Sequence, residues 1–490
     1  MRCRKSIHIS SVPLLLGVGI IAGDLFGLFL SWSWANEWAL IVSVIAIAIS
    51  FVPRMFTRLF FALLAGFLLG AFCATRVVRD REVIIEEIGR TSIIRATVSE
   101  MPEWKNSQTR LKLTNIYPNN STKQLDSQAY AILTGENKNI QRSDQITLRG
   151  KLQEGFGEYI ASIYRPIVLA INKPDPPDYS AKVRTLFTSR LRKIFNNSIS
   201  SDLALGFLIG EKTLPQTLKE QLRIVGLSHI VVASGFSLSI LANFMKKWMG
   251  KISRFAGHIS ALLLIVVFVS ITGLSPSLLR AGLVSGIALF ANYFGRKFHP
   301  GRLLIYIATV SVLCNHQIIL NAAWQLSFSA YAGLILLAPM LKKYFYGNNK
   351  PGLVAEMVII SFSAQLPCLP ISMYYYGQFS VIGLIANILV TPVISCVMLL
   401  TFLCGVFPYP ASSLLAFADN LLLNYQITTI QWLSDIKWAT INLQPYRMAV
   451  FTLYLPMIIG AYFLKCRTRH TFKPAHNLDK TPNYGKIYSC

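Results

Sequence analysis

The residues of this chain that could do chemistry are polar ones that interrupt long apolar runs. A charge at the centre of a membrane-spanning helix costs at least about 2.5–3.5 kcal/mol, so such groups face a cavity, a partner or water. Five places have this character. Gly226-Leu227-Ser228-His229 precedes Ser234-Gly235-Phe236-Ser237. Its small residues suit close helix contact or a helix break beside a polar cavity. A Ser/His pair also suggests a nucleophile and base, but no third orienting group or oxyanion feature accompanies Ser228 or Ser234 and His229. Next, Ser275-Pro276-Ser277 reads as a helix start, with Arg280 one turn inside. Three roles fit Arg280: a phosphate contact in an aqueous path, snorkelling to the interface, or pairing with Asp24, Glu356 or Asp419. In Trp324-Gln325-Leu326-Ser327, Gln325 and Ser327 either line a polar path or bond between helices. Gln365, with Pro367 and Pro370 close behind, marks a discontinuous helix that ends in Tyr374-Tyr375-Tyr376. Those rings form either an interfacial belt or a stacking surface. Asn387 is the fifth, with Pro392 one turn on.

Motifs of soluble enzymes are missing. There is no Walker A loop, so ATP hydrolysis by the chain itself is not expected. The seven histidines form neither HExxH nor HxHxD, and the eight cysteines contain no CxxC pair. No metal, cofactor or catalytic site is expected.

The elements that must position these residues follow from composition. Of 490 residues, 53% are hydrophobic and only 14% charged, which points to a polytopic helical membrane protein. Apolar runs at 12–31, 38–53 and 56–75 open the chain. The first is longer than a signal-peptide core and reads as a retained helix. Residues 76–178 differ: short alternating runs near 92–99, 109–117, 129–134, 145–152 and 158–164, separated by polar turns, predict a small antiparallel barrel or sandwich. Residues 179–224 read as amphipathic helices at the membrane surface, rich in Arg190, Arg192, Lys193 and Arg223, with a short apolar piece at 203–210 between them. Further spans are expected at 225–245, 257–274, 277–294, 303–315, 319–340, 353–374, 380–405, 411–432 and 448–464, within a domain of 225–464 before a basic tail at 465–490.

The net charge is +25. The 76–178 region holds 15 Lys+Arg and 13 Asp+Glu, so its share is only +2. The rest fits the positive-inside rule if the N-terminus is inside, the β-rich region outside and the tail inside. This needs twelve spans. The weakest, 411–432, carries Asp419 and Asn420; lying flat, it would move the tail outside. Arg76, Arg79 and Arg81 run against this topology.

In their order, these motifs resemble the ComEC family of competence DNA-uptake channels from about residue 200 to 395. The resemblance is carried by Leu205-Gly206-Phe207-Leu208-Ile209-Gly210-Glu211 with Leu214-Pro215, Gly226-Leu227-Ser228-His229 with Ala233-Ser234-Gly235, and Leu274-Ser275-Pro276-Ser277 with Leu279-Arg280-Ala281. Gln325-Leu326-Ser327-Phe328, Gln365-Leu366-Pro367, Gly377-Gln378-Phe379-Ser380 and Ala386-Asn387 complete it. Two departures stand out. Ser237 occupies a position where the family often has His, and the chain shows no histidine cluster of the metallo-β-lactamase-like domain found at the end of many members.

The resemblance implies an 11–12-span bundle with an extracytoplasmic OB-like domain in the cytoplasmic membrane, passing single-stranded DNA inward during natural transformation. It implies as partners a DNA receptor, a cytoplasmic helicase-type competence protein and a separate nuclease or none, besides membrane lipids. On that reading Ser228, His229, Ser234, Gly235, Ser237, Ser275, Arg280, Gln325, Ser327, Gln365 and Asn387 are path candidates, and Arg190, Arg192, Lys193 and Arg223 entrance candidates. Trp104, Tyr117, Tyr130, Phe156, Tyr159 and Tyr164 are possible stacking groups of the external domain. A small-molecule or lipid-linked transporter, and an intramembrane serine hydrolase, are the rival readings.

Overall fold

The computed structural model describes residues 12–30, 42–43, 46, 55–85, 87–105, 108–118, 124–125, 127–135, 139–174, 177–196, 198–210, 214–231, 235–272, 276–295, 299–347, 349–436, 438–442 and 452–468. They fall into two compact units, Met1–Tyr179 with Arg302–Asn321, and Ser180–Gly301 with Ala322–Cys490.

In the first unit the helices Val12–Leu30 and Met55–Ile85 run parallel in direct backbone contact. Gly19 lies against Leu63 and Phe67, and Gly27 against Ala71 and Ala74. A Cβ on Gly23 would sit 1.9 Å from the Phe67 carbonyl oxygen, so only glycine permits this approach. A parallel pair requires the chain between the two helices to return to its starting end. The apolar run expected to do so, 38–53, lies largely outside the described residues. The second helix does not stop at residue 75. It continues to Ile85, and Ile84 joins the core of the β-rich domain. The helix Pro300–Cys314 packs on the first helix through Thr309 beside Gly17, and a 3₁₀ turn, His316–Leu320, follows.

The β domain is a closed barrel. Strands β1 (Thr91–Val98), β3 (Gln108–Pro118), β4 (Gln128–Thr134), β6 (Tyr159–Tyr164) and β5 (Gln145–Glu154) follow one another round it, and β5 pairs back to β1. The β4–β6 pair is parallel and the others antiparallel, which is an OB-like arrangement. Alternate side chains point inward, among them Ile94, Leu111, Leu133, Ile146 and Leu148, so the period-2 runs in the sequence are the barrel staves. Two strands escape the sequence reading. β2 (Glu103–Lys105) is a short hairpin partner of β3, and β7 (Ile167–Asn172) lines the edge of β5 with a mostly exposed pattern.

The second unit is helical. Tyr179–Ile194 and Gln216–Ile224 are amphipathic as expected, and the apolar piece between them belongs to the helix Ile199–Ile209. It is buried almost throughout, packed on Gly383–Val406 and Ala411–Ser434, because nearly every side chain it carries is apolar or small. The span expected at 225–245 is corrected: it forms two helices, Ser228–Val231 and Gly235–Met249. The chain turns into the first through Gly226 at φ +78°, a left-handed conformation natural to glycine.

Five of the described helices are long and apolar enough to cross a membrane: Leu59–Ile85, Arg254–Thr272, Ala322–Tyr346, Leu353–Tyr376 and Gly383–Val406. Four apolar helices are shorter. Ala322–Tyr346 and Leu353–Tyr376 are antiparallel: the Cys368 thiol reaches the Leu326 carbonyl at 3.3 Å, Gly333 abuts Ser363, and Lys342 bonds Glu356. Gly383–Val406 and Ala411–Ser434 are antiparallel too, joined by Thr401 and Asp419. The short strands Gln378–Ser380 and Thr440–Asn442 pair at one end, while Arg467 lies over Tyr344 at the other.

Candidate functional site

Arg280 and Ser327, read separately from the sequence, meet in the second unit. The Arg280 Nε–H donates to the Ser327 hydroxyl at 2.8 Å. The guanidinium lies 5.1 Å from the Tyr331 ring centre and 6.0 Å from that of Phe328. Trp324 stacks on Phe328 at 4.4 Å. Residues 324, 328 and 331 follow the i, i+4, i+7 spacing of one helical face, so Ala322–Tyr346 presents an aromatic stripe to the first turn of Pro276–Tyr293. Tyr331 was not singled out from sequence; the i+7 spacing from Trp324 is the signal that finds it.

None of the three carboxylates proposed as a partner takes that role. Asp24 faces His316, Glu356 holds Lys342, and Asp419 accepts from Thr401. Among the described residues Arg280 has no carboxylate partner. Its charge is met by one hydroxyl and two ring faces, and a planar guanidinium so held keeps donors for an incoming anion.

The remaining path candidates are spread along the unit. His229 Nδ1 lies 3.0 Å from the Gly226 carbonyl, a contact to its own turn, and Ser228 is exposed. Gly235 and Ser237 open the helix Gly235–Met249, while Ser234 and Ser275 lie outside the described residues. Gln325 is half-buried on the same helix as Ser327, Gln365 is half-buried midway along Leu353–Tyr376, and Asn387 is buried in the first turn of Gly383–Val406. No hydrogen bond joins Gln365 or Asn387 to Arg280 among the described residues. Two of the motifs do meet. A Cβ on Gly226 would lie 2.8 Å from Ser380, so the Gly-Leu-Ser-His turn is seated on the Gly-Gln-Phe-Ser turn.

Three of the four entrance candidates have structural partners. Arg190 donates to the Phe407 carbonyl at the end of Gly383–Val406. Arg192 lies 3.6 Å from Asp202, and Arg223 3.7 Å from Glu220. Lys193 is exposed near the end of its helix. Arg184, not singled out, is buried and donates to the Thr272 carbonyl at 2.9 Å, capping Arg254–Thr272.

On the barrel of the first unit, three of the six proposed stacking rings form one cluster. Tyr130 to Phe156, Tyr130 to Tyr159 and Phe156 to Tyr159 are 5.4, 5.1 and 5.3 Å between ring centres, and Phe156 is half-exposed. Lys112 is opposite Tyr130 in the β3–β4 register. It lies 2.9 Å from Glu100 and 3.9 Å from Glu158. Burial works against its charge, but these carboxylates outweigh it and raise its pKa above 10.5. Burial also raises Tyr130 and Tyr159 above the usual phenol range, with Glu158 adding to the effect at Tyr159. The cluster thus offers neutral phenol rings beside a cation. Tyr117 bonds Gln124 elsewhere, Tyr164 is exposed, and Trp104 lies on β2.

The described geometry lies largely inside a region matched by a family model. Residues 207–467 match the model described as Competence protein. The chain belongs to the competence protein family. Arg280, Ser327, Phe328 and Tyr331 all fall within the matched region. This competence-family chain is 27% identical over 310 residues to "ComE operon protein 3" of Bacillus subtilis (strain 168), covering 59% of the chain and 38% of that protein. It is 24% identical over 237 residues to "Uncharacterized protein MG316" of Mycoplasma genitalium, covering 48% of the chain and 59% of that protein. The chain therefore spans less than two thirds of either relative's length. No solved structure matches it. Its apolar helices and OB-like barrel make it a multi-pass membrane member of the family.

Proposed function

We propose that this protein passes single-stranded DNA across the cytoplasmic membrane during natural transformation. The observation that carries the reading is Arg280 inside the family-matched bundle, bonded to Ser327 and set over the rings of Phe328 and Tyr331. A strand in transit needs cationic contact to phosphate and stacking surfaces that tolerate any base. Arg280 with its aromatic stripe combines both within a few ångströms. The barrel cluster of Tyr130, Phe156, Tyr159 and Lys112 repeats the combination, and on this reading receives the strand first. A DNA receptor and a cytoplasmic motor of the helicase type are the partners the function calls for.

The test is nuclease-protected cytoplasmic DNA in a transformable host lacking the gene, scored beside surface-bound DNA. Restoring the intact gene should recover the protected label, and Arg280→Ala at equal protein level should not. Full import through Arg280→Ala would remove Arg280 from the path. Undiminished import without the gene would give the protein another cargo.

A further inference from the structure

Three helices of the second unit enclose a groove of about 270 Å³. Its walls are Leu337 and Leu341 from Ala322–Tyr346, Phe362 and Leu366 from Leu353–Tyr376, and Met457 and Leu464 from Tyr454–Thr468. Gly460 forms part of its floor. Small residues in membrane helices usually serve close contact; Gly333 does so, with a would-be Cβ 2.0 Å from the Ser363 carbonyl oxygen. Gly460 does the reverse. A Cβ there would meet nothing within 4 Å, so this glycine deepens a space that no neighbouring helix fills.

The two ends of the groove differ. At one, the Tyr454 hydroxyl donates to the Pro367 carbonyl at 2.9 Å, within Leu353–Tyr376, which runs as one helix through Pro367 and Pro370 and is not the discontinuous helix expected from those prolines. At the other, the Arg467 guanidinium lies 5.8 Å from the Tyr344 ring centre and 5.9 Å from that of Phe463. Arg467 is exposed there, as are Lys343 and Lys465 on the last turns of Ala322–Tyr346 and Tyr454–Thr468. An apolar slot ending in three exposed cations has the form of an acyl chain joined to a negative headgroup.

We propose that this groove binds an anionic glycerophospholipid, one acyl chain lying over Gly460 and the phosphate held by Lys343, Lys465 and Arg467. The charge complementarity selects the headgroup; the depth at Gly460 selects a chain. The bound lipid would fix Tyr454–Thr468 to the two helices beside it.

The test uses the full-length protein purified in mild detergent, with phosphatidylglycerol and phosphatidylcholine of identical acyl chains supplied in equal amounts. Retained lipid is counted by native mass spectrometry. The wild type should hold one phosphatidylglycerol in clear preference. Gly460→Leu should lose retention of both lipids. Changing Lys343, Lys465 and Arg467 to Gln should erode the preference, by about fivefold per cation on the usual strength of such contacts, while leaving chain binding. Equal retention of the two lipids by the wild type would overturn the proposal, as would unchanged retention in Gly460→Leu. If Gly460→Leu does not fold, the exposed Gln variants decide the matter, since an unaltered preference there removes the headgroup site. DNA import plays no part in the readout, so the result is independent of the transport function.

Discussion

Asp24, fully buried on the first helix, lies 3.0 Å from Nδ1 of His316 in the 3₁₀ turn far along the chain. The same turn reaches the barrel. Gln317 Oε1 accepts from the Gln128 backbone N–H at 3.3 Å, and Asn321 donates to Glu158 at 2.5 Å. One short segment therefore ties the membrane helix and the barrel together inside the first unit. Removing one partner of a buried polar contact leaves the other unpaired, at a cost of about 1–3 kcal/mol. Asp24→Ala and His316→Ala should each sharply lower the melting temperature of the detergent-solubilised protein. The Asp24→Leu, His316→Leu double variant should recover much of the loss. Additive losses in the double variant would show that the two side chains act independently.

Arg280 can be separated from mere positive charge. Lysine keeps the charge but lacks the planar fork and stacks poorly on rings. Arg280→Lys should therefore cut DNA import well below wild type while leaving protein level unchanged. Ser327→Ala removes one hydrogen bond to a charged group, worth about 1.5–3 kcal/mol, and should reduce import by about tenfold or more. If Arg280→Lys imports as well as wild type, charge alone suffices and the rings of Phe328 and Tyr331 have no role.

Much of this architecture was legible because burial writes a period into sequence. The barrel staves alternate apolar and polar residues, and five of seven strands are readable on that ground. β7 escaped because it lies at the edge with both faces largely exposed, leaving little for the core to impose. The division of 225–245 into two helices was legible only as one of two alternatives for the small residues at 226–237, because hydropathy averages over a window. Arg280 and Ser327 were each visible as polar residues in apolar runs; that they meet is a tertiary fact no spacing contains. The basic run at 190–193 looked like a binding surface, yet Arg190 and Arg192 answer a helix end and an aspartate. Charge type is written in sequence, but its partner is not.

The barrel cluster gives an alkaline signature. Tyr159 holds its proton above the usual phenol value of 10, because burial and Glu158 oppose the phenolate. Above that value the unfolded chain has released a proton that the folded chain keeps, so stability falls as pH rises. The contribution of Lys112 is complete below 10.5 and is lost as pH climbs through its raised folded value. Proteolytic protection of residues 91–172 in the full chain should thus be flat from about pH 7 to 9 and decline above about 10. Tyr159→Phe should gain on the wild type only in that upper range. A difference that stays constant with pH would mean the phenol does not titrate on unfolding.

Stacking by the same cluster can be measured separately. Truncating an aromatic that stacks on a base costs about 1–3 kcal/mol. Phe156 is half-exposed and at the cluster edge, so Phe156→Ala should weaken surface-bound DNA by several-fold without unfolding the barrel. Unchanged binding would leave the cluster as packing alone.

The crossing of Ala411–Ser434 is open to direct test. Its sequence reads as a weak span because of Asp419 and Asn420, yet Asp419 is buried and accepts from Thr401 at 2.7 Å, and Gln426 is buried as well. The outward residues are Leu414, Phe417, Leu421 and Trp432, which suit lipid. Parity supports the same conclusion. From Tyr346 the chain runs through Leu353–Tyr376, Gly383–Val406, Ala411–Ser434 and Tyr454–Thr468, and Arg467 comes back to Tyr344. An even number of crossings is required, and the pairing of Gln378–Ser380 with Thr440–Asn442 places those residues at the opposite end. Single cysteines introduced at Lys343 and Lys465, in a chain with its eight native cysteines replaced, should react with an impermeant maleimide from one side of the membrane. A cysteine at Ile441 should react from the other. If Ala411–Ser434 lay flat on the surface, Lys465 and Ile441 would exchange sides relative to Lys343.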